Sequence, residues 1–216
     1  MTPIHSIVLA SGSPQRRAIL EELGIAFEAR PVDVEEVICA SPEETVLENA
    51  RRKLLAALPL AAAGQGVLAA DTIVSCDGRI LGKPGTPERA AEYLARLSGR
   101  SSCTWTGVAL ALGGGRDIWL GSEMAEVQCH AFGRQEIEWY VSTGEPLERA
   151  GAIGISHYGE SLLSGLHGSY SCIAGLPKRT LLAMLGSSRE LSAAFLPVPP
   201  PVIPAADACH WRRISL

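Results

Sequence analysis

Hydrophobic residues return along this chain in two rhythms. Ile7-Val8-Leu9-Ala10 and Val67-Leu68-Ala69-Ala70 are short unbroken apolar runs, the pattern of strands buried on both faces. Val46, Leu47, Ala50, Leu54 and Ala57 instead recur about every 3.6 residues, the stripe of a helix, and Ala90, Tyr93, Leu94 and Leu97 repeat that stripe. The residues between these runs set the boundaries. Ser11-Gly12-Ser13 forms a polar loop after the first strand. Ser13 is then the N-cap and Pro14 the first position of a helix that runs to Leu23 and is closed by Gly24. Ser41-Pro42-Glu43-Glu44 and Thr86-Pro87 announce the second and third helices in the same way, the third closing at Ser98-Gly99.

Asp77-Gly78 between apolar runs predicts a two-residue hairpin turn. Its register pairs Cys76 with Arg79 and, continued, Thr72 with Lys83, one step from Asp71. Gly82 and Pro84 should break the second strand there and free Lys83 to turn toward the cleft of Asp71. Further on, Cys103 to Leu112 and Asp117 to Gln128 read as strands around a Gly113-Gly114-Gly115 turn. Gln135 to Val141 reads as a short helix with Trp139 and Tyr140 as packing residues. Gly144 to Gly175 is rich in Gly and Ser and suits short strands and loops. Leu176-Pro177-Lys178 opens a last helix through Met184 and Leu185.

Composition narrows the class. With 216 residues, 47% of them hydrophobic and 19% charged, the chain is long enough for one sizeable core. The expectation is a single two-lobed domain over residues 1–190 and a proline-rich tail over 191–216. A net charge of -4 lacks the broad basic field of a nucleic-acid or membrane-surface binder. The six cysteines show no C-x-x-C pair, which argues against a zinc site or a disulfide framework and fits a reducing cytoplasm. The longest apolar run, Leu54 to Ala63, is too short to span a bilayer and contains Pro59.

Charge placement brings in the chemistry. Asp71 is a carboxylate inside an otherwise buried strand, where an unpaired charge would cost several kcal/mol. It calls for a cleft edge, a hydrogen bond, a metal ion or a lysine. Lysine is scarce here, only Lys53, Lys83 and Lys178 against sixteen arginines, and a compact ammonium suits a phosphate oxygen as a point charge. Lys53 falls on the border of the second helix's apolar stripe, so its stem could follow buried surface and deliver the charge into a cleft. Arg16 and Arg17 occupy the first turn of a helix, where the dipole disfavours cations. Either an anion gathered by the loop amides, the Ser11 and Ser13 hydroxyls and an arginine offsets them, or both arginines point into water. The acidic group Asp33, Glu35 and Glu36 reads first as a solvated loop.

Six stretches occur in a recognisable order: Leu9-Ala10-Ser11-Gly12-Ser13-Pro14-Gln15-Arg16-Arg17, Ala70-Asp71-Thr72, Leu81-Gly82-Lys83-Pro84, Tyr140-Val141-Ser142-Thr143-Gly144-Glu145-Pro146, Ala150-Gly151-Ala152-Ile153-Gly154-Ile155 and Gly175-Leu176-Pro177. Together they resemble the Maf family of nucleoside triphosphate pyrophosphatases, first linked to septum formation. The resemblance implies a Maf/ITPase-like α/β fold of two lobes, with a long mixed β-sheet flanked by helices, a central cleft and usually a homodimer. The implied reaction is hydrolysis between the α- and β-phosphates of a nucleotide with a divalent metal cation, Mg2+ or Mn2+. It makes Asp71 the general base, sharing the metal with Glu36, and makes Ser11, Ser13, Arg16, Lys53 and Lys83 the groups that hold the triphosphate. Gln15, Thr72 and Ser156 fall where the family sorts its substrates. Arg, Thr and Gln there accompany dTTP and UTP; Trp, Gln and Glu accompany 7-methyl-GTP. Only Thr72 agrees with the first set, while Gln15 and Ser156 match neither, and a pyrimidine is the first expectation. A second expectation is a nucleotide-binding regulator of septum formation with little catalysis.

Overall fold

The computed structural model describes residues 4–112, 117–187 and 210–215. In chain order the elements are β1 (Ser6–Leu9), α1 (Pro14–Glu22), β2 (Phe27–Ala29), α2 (Pro42–Ala57), β3 (Gln65–Cys76), β4 (Arg79–Leu81), α3 (Pro87–Leu97), β5 (Ser101–Ala111), β6 (Asp117–Cys129), α4 (Arg134–Ser142), β7 (Leu163–His167), α5 (Tyr170–Ile173), α6 (Lys178–Gly186) and β8 (His210–Ser215), with short 3-10 turns between them. The strands form one mixed sheet in the order β2-β1-β3-β5-β6-β7, with β4 paired to β3 and β8 to β6. β1 is parallel to both β2 and β3, whereas β4, β7 and β8 are antiparallel to their partners. The expected α/β class with a mixed sheet flanked by helices is what the chain adopts.

Two compact units divide the chain: Met1–Asp71 with Thr106–Glu123 and Ala174–Leu216, and Thr72–Trp105 with Met124–Ile173. In the first, period-two alternation separates two buried faces. Ile7, Leu9, Leu68, Ala70, Val108 and Leu110 pack against Ile19 and Leu20 of α1 and Leu181, Met184 and Leu185 of α6. Their sequence neighbours Val8, Ala10, Val67, Ala69, Ala109 and Ala111 pack against Ala50, Leu54 and Ala57 of α2. Burial on both sides explains why these strands read as unbroken apolar runs. In the second unit Ala90, Tyr93, Leu94 and Leu97 of α3 close over Val74, Cys76, Leu81, Cys129 and Tyr140.

The expected caps are present. Ser13, Ser41 and Thr86 each accept the backbone N–H of the third residue on, and a proline opens each helix. The hairpin register is the expected one, with Cys76 opposite Arg79 and Val74 opposite Leu81, and both turn residues have positive φ, 49° for Asp77 and 72° for Gly78. β4 ends at Leu81, before Gly82 and Pro84. Tyr140 is fully buried as expected of a packing residue. Trp139 instead remains 46% exposed, edge-on to Tyr158. The Gly113-Gly114-Gly115 turn and most of the tail 191–216 lie outside the described residues. Of that tail, residues 210–215 form β8, a strand that the proline-rich composition does not announce. No helix among the described residues is long and apolar enough to cross a membrane.

Candidate active site

Strand alternation aims Asp71. Val67 and Ala69 of β3 face α2, and Asp71, two residues further on, projects from the same side. On α2, Asn49 and Lys53 stand one turn apart and share a face. The helix reaches the sheet closely because its floor is small. A Cβ at Gly107 of β5 would stand 2.5 Å from the carbonyl carbon and oxygen of Val46, so no side chain is tolerated there without moving α2. Asn49 and Lys53 therefore meet Asp71 from above. Lys53 Nζ donates to Asp71 Oδ1 at 2.5 Å, and Asn49 Nδ2 donates to Asp71 Oδ2 at 3.1 Å.

A second carboxylate shares the same ammonium. Lys53 Nζ also donates to Glu36 Oε1, at 2.6 Å, so acids from two distant parts of the chain face one cation. Their settings differ. The Asp71 side chain is 4% exposed and that of Lys53 15%, while that of Glu36 is 58% exposed. A buried carboxylate stripped of water needs such partners, since removing them leaves an uncompensated charge in the interior. The expected border position of Lys53, with its stem in the helix packing and its charge delivered inward, is the observed one.

The loop before α1 supplies the next group. Arg16 does not point into water: its Nε donates to the Gly175 carbonyl at 2.7 Å and its Nη1 to Ser11 Oγ at 3.0 Å. Burial pushes the Arg16 guanidinium below its ordinary value, and the negative charges of Asp71 and Glu36 pull it back up. Arg16 thus lies within the field of the two acids. Arg17, its neighbour, is exposed. Ser11 Oγ also accepts the Ser13 N–H at 3.2 Å, and the Ser13 hydroxyl donates to Gln15 Oε1 at 3.1 Å. Ser11, Ser13, Gln15 and Arg16 therefore form one hydrogen-bonded turn at the start of α1. Thr72 follows Asp71 as the first residue of the second unit, and Ser156 lies there too, its Oγ 3.0 Å from His157 Nδ1. Lys83 belongs to that unit as well and pairs with Glu148 at 3.2 Å, both side chains exposed.

The chain matches the family model described as Maf-like protein over residues 6–188. It is 40% identical over 184 residues to a dTTP/UTP pyrophosphatase of Symbiobacterium thermophilum, spanning 84% of this chain and 93% of that protein. It is 39% identical over 192 residues to one of Moorella thermoacetica, 85% and 96% of the two chains, and 41% identical over 186 residues to one of Anaeromyxobacter dehalogenans, 83% and 92%. The chain belongs to the Maf family. Two features of this Maf protein's site are absent from the sequence reading. One is Asn49, a lone amide inside an apolar helical stripe four residues before Lys53, a position that could have marked it. The other is the Gly175 carbonyl, which holds Arg16 in place; a backbone acceptor leaves no trace in residue type.

The donor set also decides what cation could be held. Glu36 and Asp71 offer two carboxylates and no thiolate or imidazole, which suits Mg2+ or Mn2+. Among the described residues, no group of three or more His, Cys, Asp or Glu side chains could hold a metal ion by itself.

Proposed function

We propose that this chain hydrolyses the bond between the α- and β-phosphates of a nucleoside triphosphate, releasing pyrophosphate and the monophosphate, with a pyrimidine triphosphate of the dTTP or UTP kind as substrate. The observation that carries the reading is the Lys53 ammonium bridging buried Asp71 and open Glu36 at 2.5 and 2.6 Å, with Arg16 in the field of both acids. It supports the reading because two carboxylates that could serve as base and metal ligands meet one ammonium. Relatives named for dTTP and UTP support the pyrimidine, which the family resemblance also associates with Thr72.

Each residue then has a task. The Asp71 carboxylate takes a proton from a water whose oxygen bonds to the α-phosphorus; the bond from that phosphorus to the bridging oxygen breaks, and pyrophosphate leaves with the electron pair. Lys53, Arg16 and Lys83 offset the charge that moves onto the leaving group, while the Ser11 and Ser13 hydroxyls orient phosphate oxygens. A Mg2+ or Mn2+ ion held by Glu36, Asp71 and the phosphates would supply further neutralisation and lower the pKa of water. Gln15, Thr72 and Ser156 select the base. The enzyme is expected to work in the cytoplasm as a homodimer, which light scattering would reveal as twice the 22.8 kDa chain mass.

The test is a nucleotide panel with Mn2+ or Mg2+, scored for pyrophosphate. Wild type should release it fastest from dTTP or UTP, and Asp71→Asn should slow release by about 10²–10⁴-fold with an unchanged circular dichroism spectrum. Orthophosphate and a diphosphate as products would place the cut at the other anhydride bond. Tight binding without turnover would instead make the chain a nucleotide-dependent regulator.

A further inference from the structure

We infer that Asn49 is the positioning residue of this site, the group that locks the segment carrying Glu36 to the Asp71 carboxylate. Its amide, 1% exposed, makes three hydrogen bonds. Oδ1 accepts the Val37 N–H at 2.8 Å, while Nδ2 donates to the Val37 carbonyl at 3.1 Å and to Asp71 Oδ2 at 3.1 Å. The first two reproduce the pairing that a neighbouring strand would give, so a side chain on α2 grips the Val37 backbone at both of its polar atoms. Glu36 is the next residue, and it is drawn to the ammonium that Asp71 also meets. The third bond occupies one oxygen of Asp71 and leaves the other turned to Lys53.

Amide chemistry is required for this task. Aspartate could accept from Val37 but could donate to neither carbonyl nor carboxylate, and leucine fills the volume with no hydrogen bond at all. Glutamine carries an extra methylene into a buried position. Groups that orient ligands in this way are commonly worth 10–100-fold in metal affinity or activity. Asn49 touches no substrate in this account; it acts through the two acids.

The inference rests on the reading of Glu36 and Asp71 as metal ligands, and the experiment separates the two. Mn2+ alone is titrated into the full chain, and free ion is followed by electron paramagnetic resonance, with no nucleotide present. Asn49→Ala should bind Mn2+ about 10–100-fold more weakly than wild type. At saturating Mn2+ it should lose kcat, expressed per folded protein as counted by circular dichroism, while the KM for dTTP or UTP changes less than about twofold. Should Asn49→Ala fail to fold, Val37→Pro removes the N–H that Oδ1 accepts, in a segment outside any helix or strand, and carries the same expectation. Placement of Glu36 by Asn49 also requires that Asn49→Ala cost less affinity in a Glu36→Gln background than in wild type, the remainder acting through Asp71. Wild-type Mn2+ affinity and kcat in whichever of the two variants folds would overturn the positioning role. Mn2+ binding that is weak in wild type and indifferent to Asp71→Asn would overturn the metal reading beneath it.

Discussion

Helices α2 and α3 both lay an apolar stripe on the sheet, and the two stripes are not built alike. On α3 every inward position, Ala90, Tyr93, Leu94 and Leu97, is apolar or aromatic and is consumed by packing. On α2 the stripe of Val46, Ala50, Leu54 and Ala57 is interrupted by Asn49 and, at its border, Lys53, and these two polar groups converge on a buried carboxylate. Both helices have the same kind of cap and both satisfy the periodicity of a surface helix. The difference is that α3 is explained by folding alone, whereas α2 places a desolvated amide and a charge where packing has no use for them.

The largest expected effects contrast these stripes directly. Leu94→Ala should lower stability by about 2–5 kcal/mol through the cavity it leaves, with the catalytic rate of the folded fraction preserved, as read from urea unfolding beside a pyrophosphate assay. Lys53→Met should remove activity and also destabilise by about 3–5 kcal/mol, because the interior keeps the Asp71 charge without its ammonium. Added Mn2+ should raise the melting temperature of Lys53→Met more than that of wild type, since the ion replaces the lost cation beside Asp71. Equal shifts in the two proteins would break the analogy between ammonium and metal.

Gly107→Ala comes next. Its Cβ would press on the Val46 backbone at 2.5 Å, so relief requires α2 to lift and Asn49 and Lys53 to move with it. The expected cost is about 1–3 kcal/mol, accompanied by a fall in kcat that exceeds the loss of folded protein. A matching intrusion of one methyl at Gly78 meets nothing within 4 Å and strains only a turn at φ 72°. Gly78→Ala should cost about 1 kcal/mol and leave the rate of the folded protein intact.

These contrasts also mark how far the sequence could be read. Local signals carried well. The serine and threonine caps, the hairpin register and the inward face of α3 follow from residue types a few positions apart, where turn chemistry and period decide the outcome. Asp71 and Lys53 were legible as anomalies, a carboxylate in a buried strand and a scarce lysine at the edge of a stripe. Their meeting follows only from the family resemblance, because 18 residues of separation carry no register. Asn49 escaped notice for a different reason. Its place in an apolar stripe marks it as unusual, but its task depends on a partner, the backbone of Val37, that any residue would provide. Arg16 illustrates the same limit, since the choice between solvent and site was made by the carbonyl of Gly175, far along the chain.

The smallest effect concerns titration within the α3 core. Cys129 is buried among Val74, Leu94 and Tyr140, and burial pushes its thiol up to about 11 from an ordinary 9.0. Tyr140, Cys76 and Cys103 are raised too, again chiefly by burial. The folded chain therefore holds these protons more tightly than the unfolded one. The stability that Cys129 contributes in this way is full below about pH 9 and is lost as pH climbs through about 11. Cys129→Ala should flatten that decline by on the order of 1 kcal/mol, read as the difference between urea midpoints of variant and wild type across the same pH range. An unchanged slope would mean that the thiolate finds solvent or a cation in the folded chain. The α3 side would then resemble the α2 side in accommodating charge, and the distinction between a stripe consumed by packing and one opened for chemistry would narrow to Asn49 and Lys53 alone.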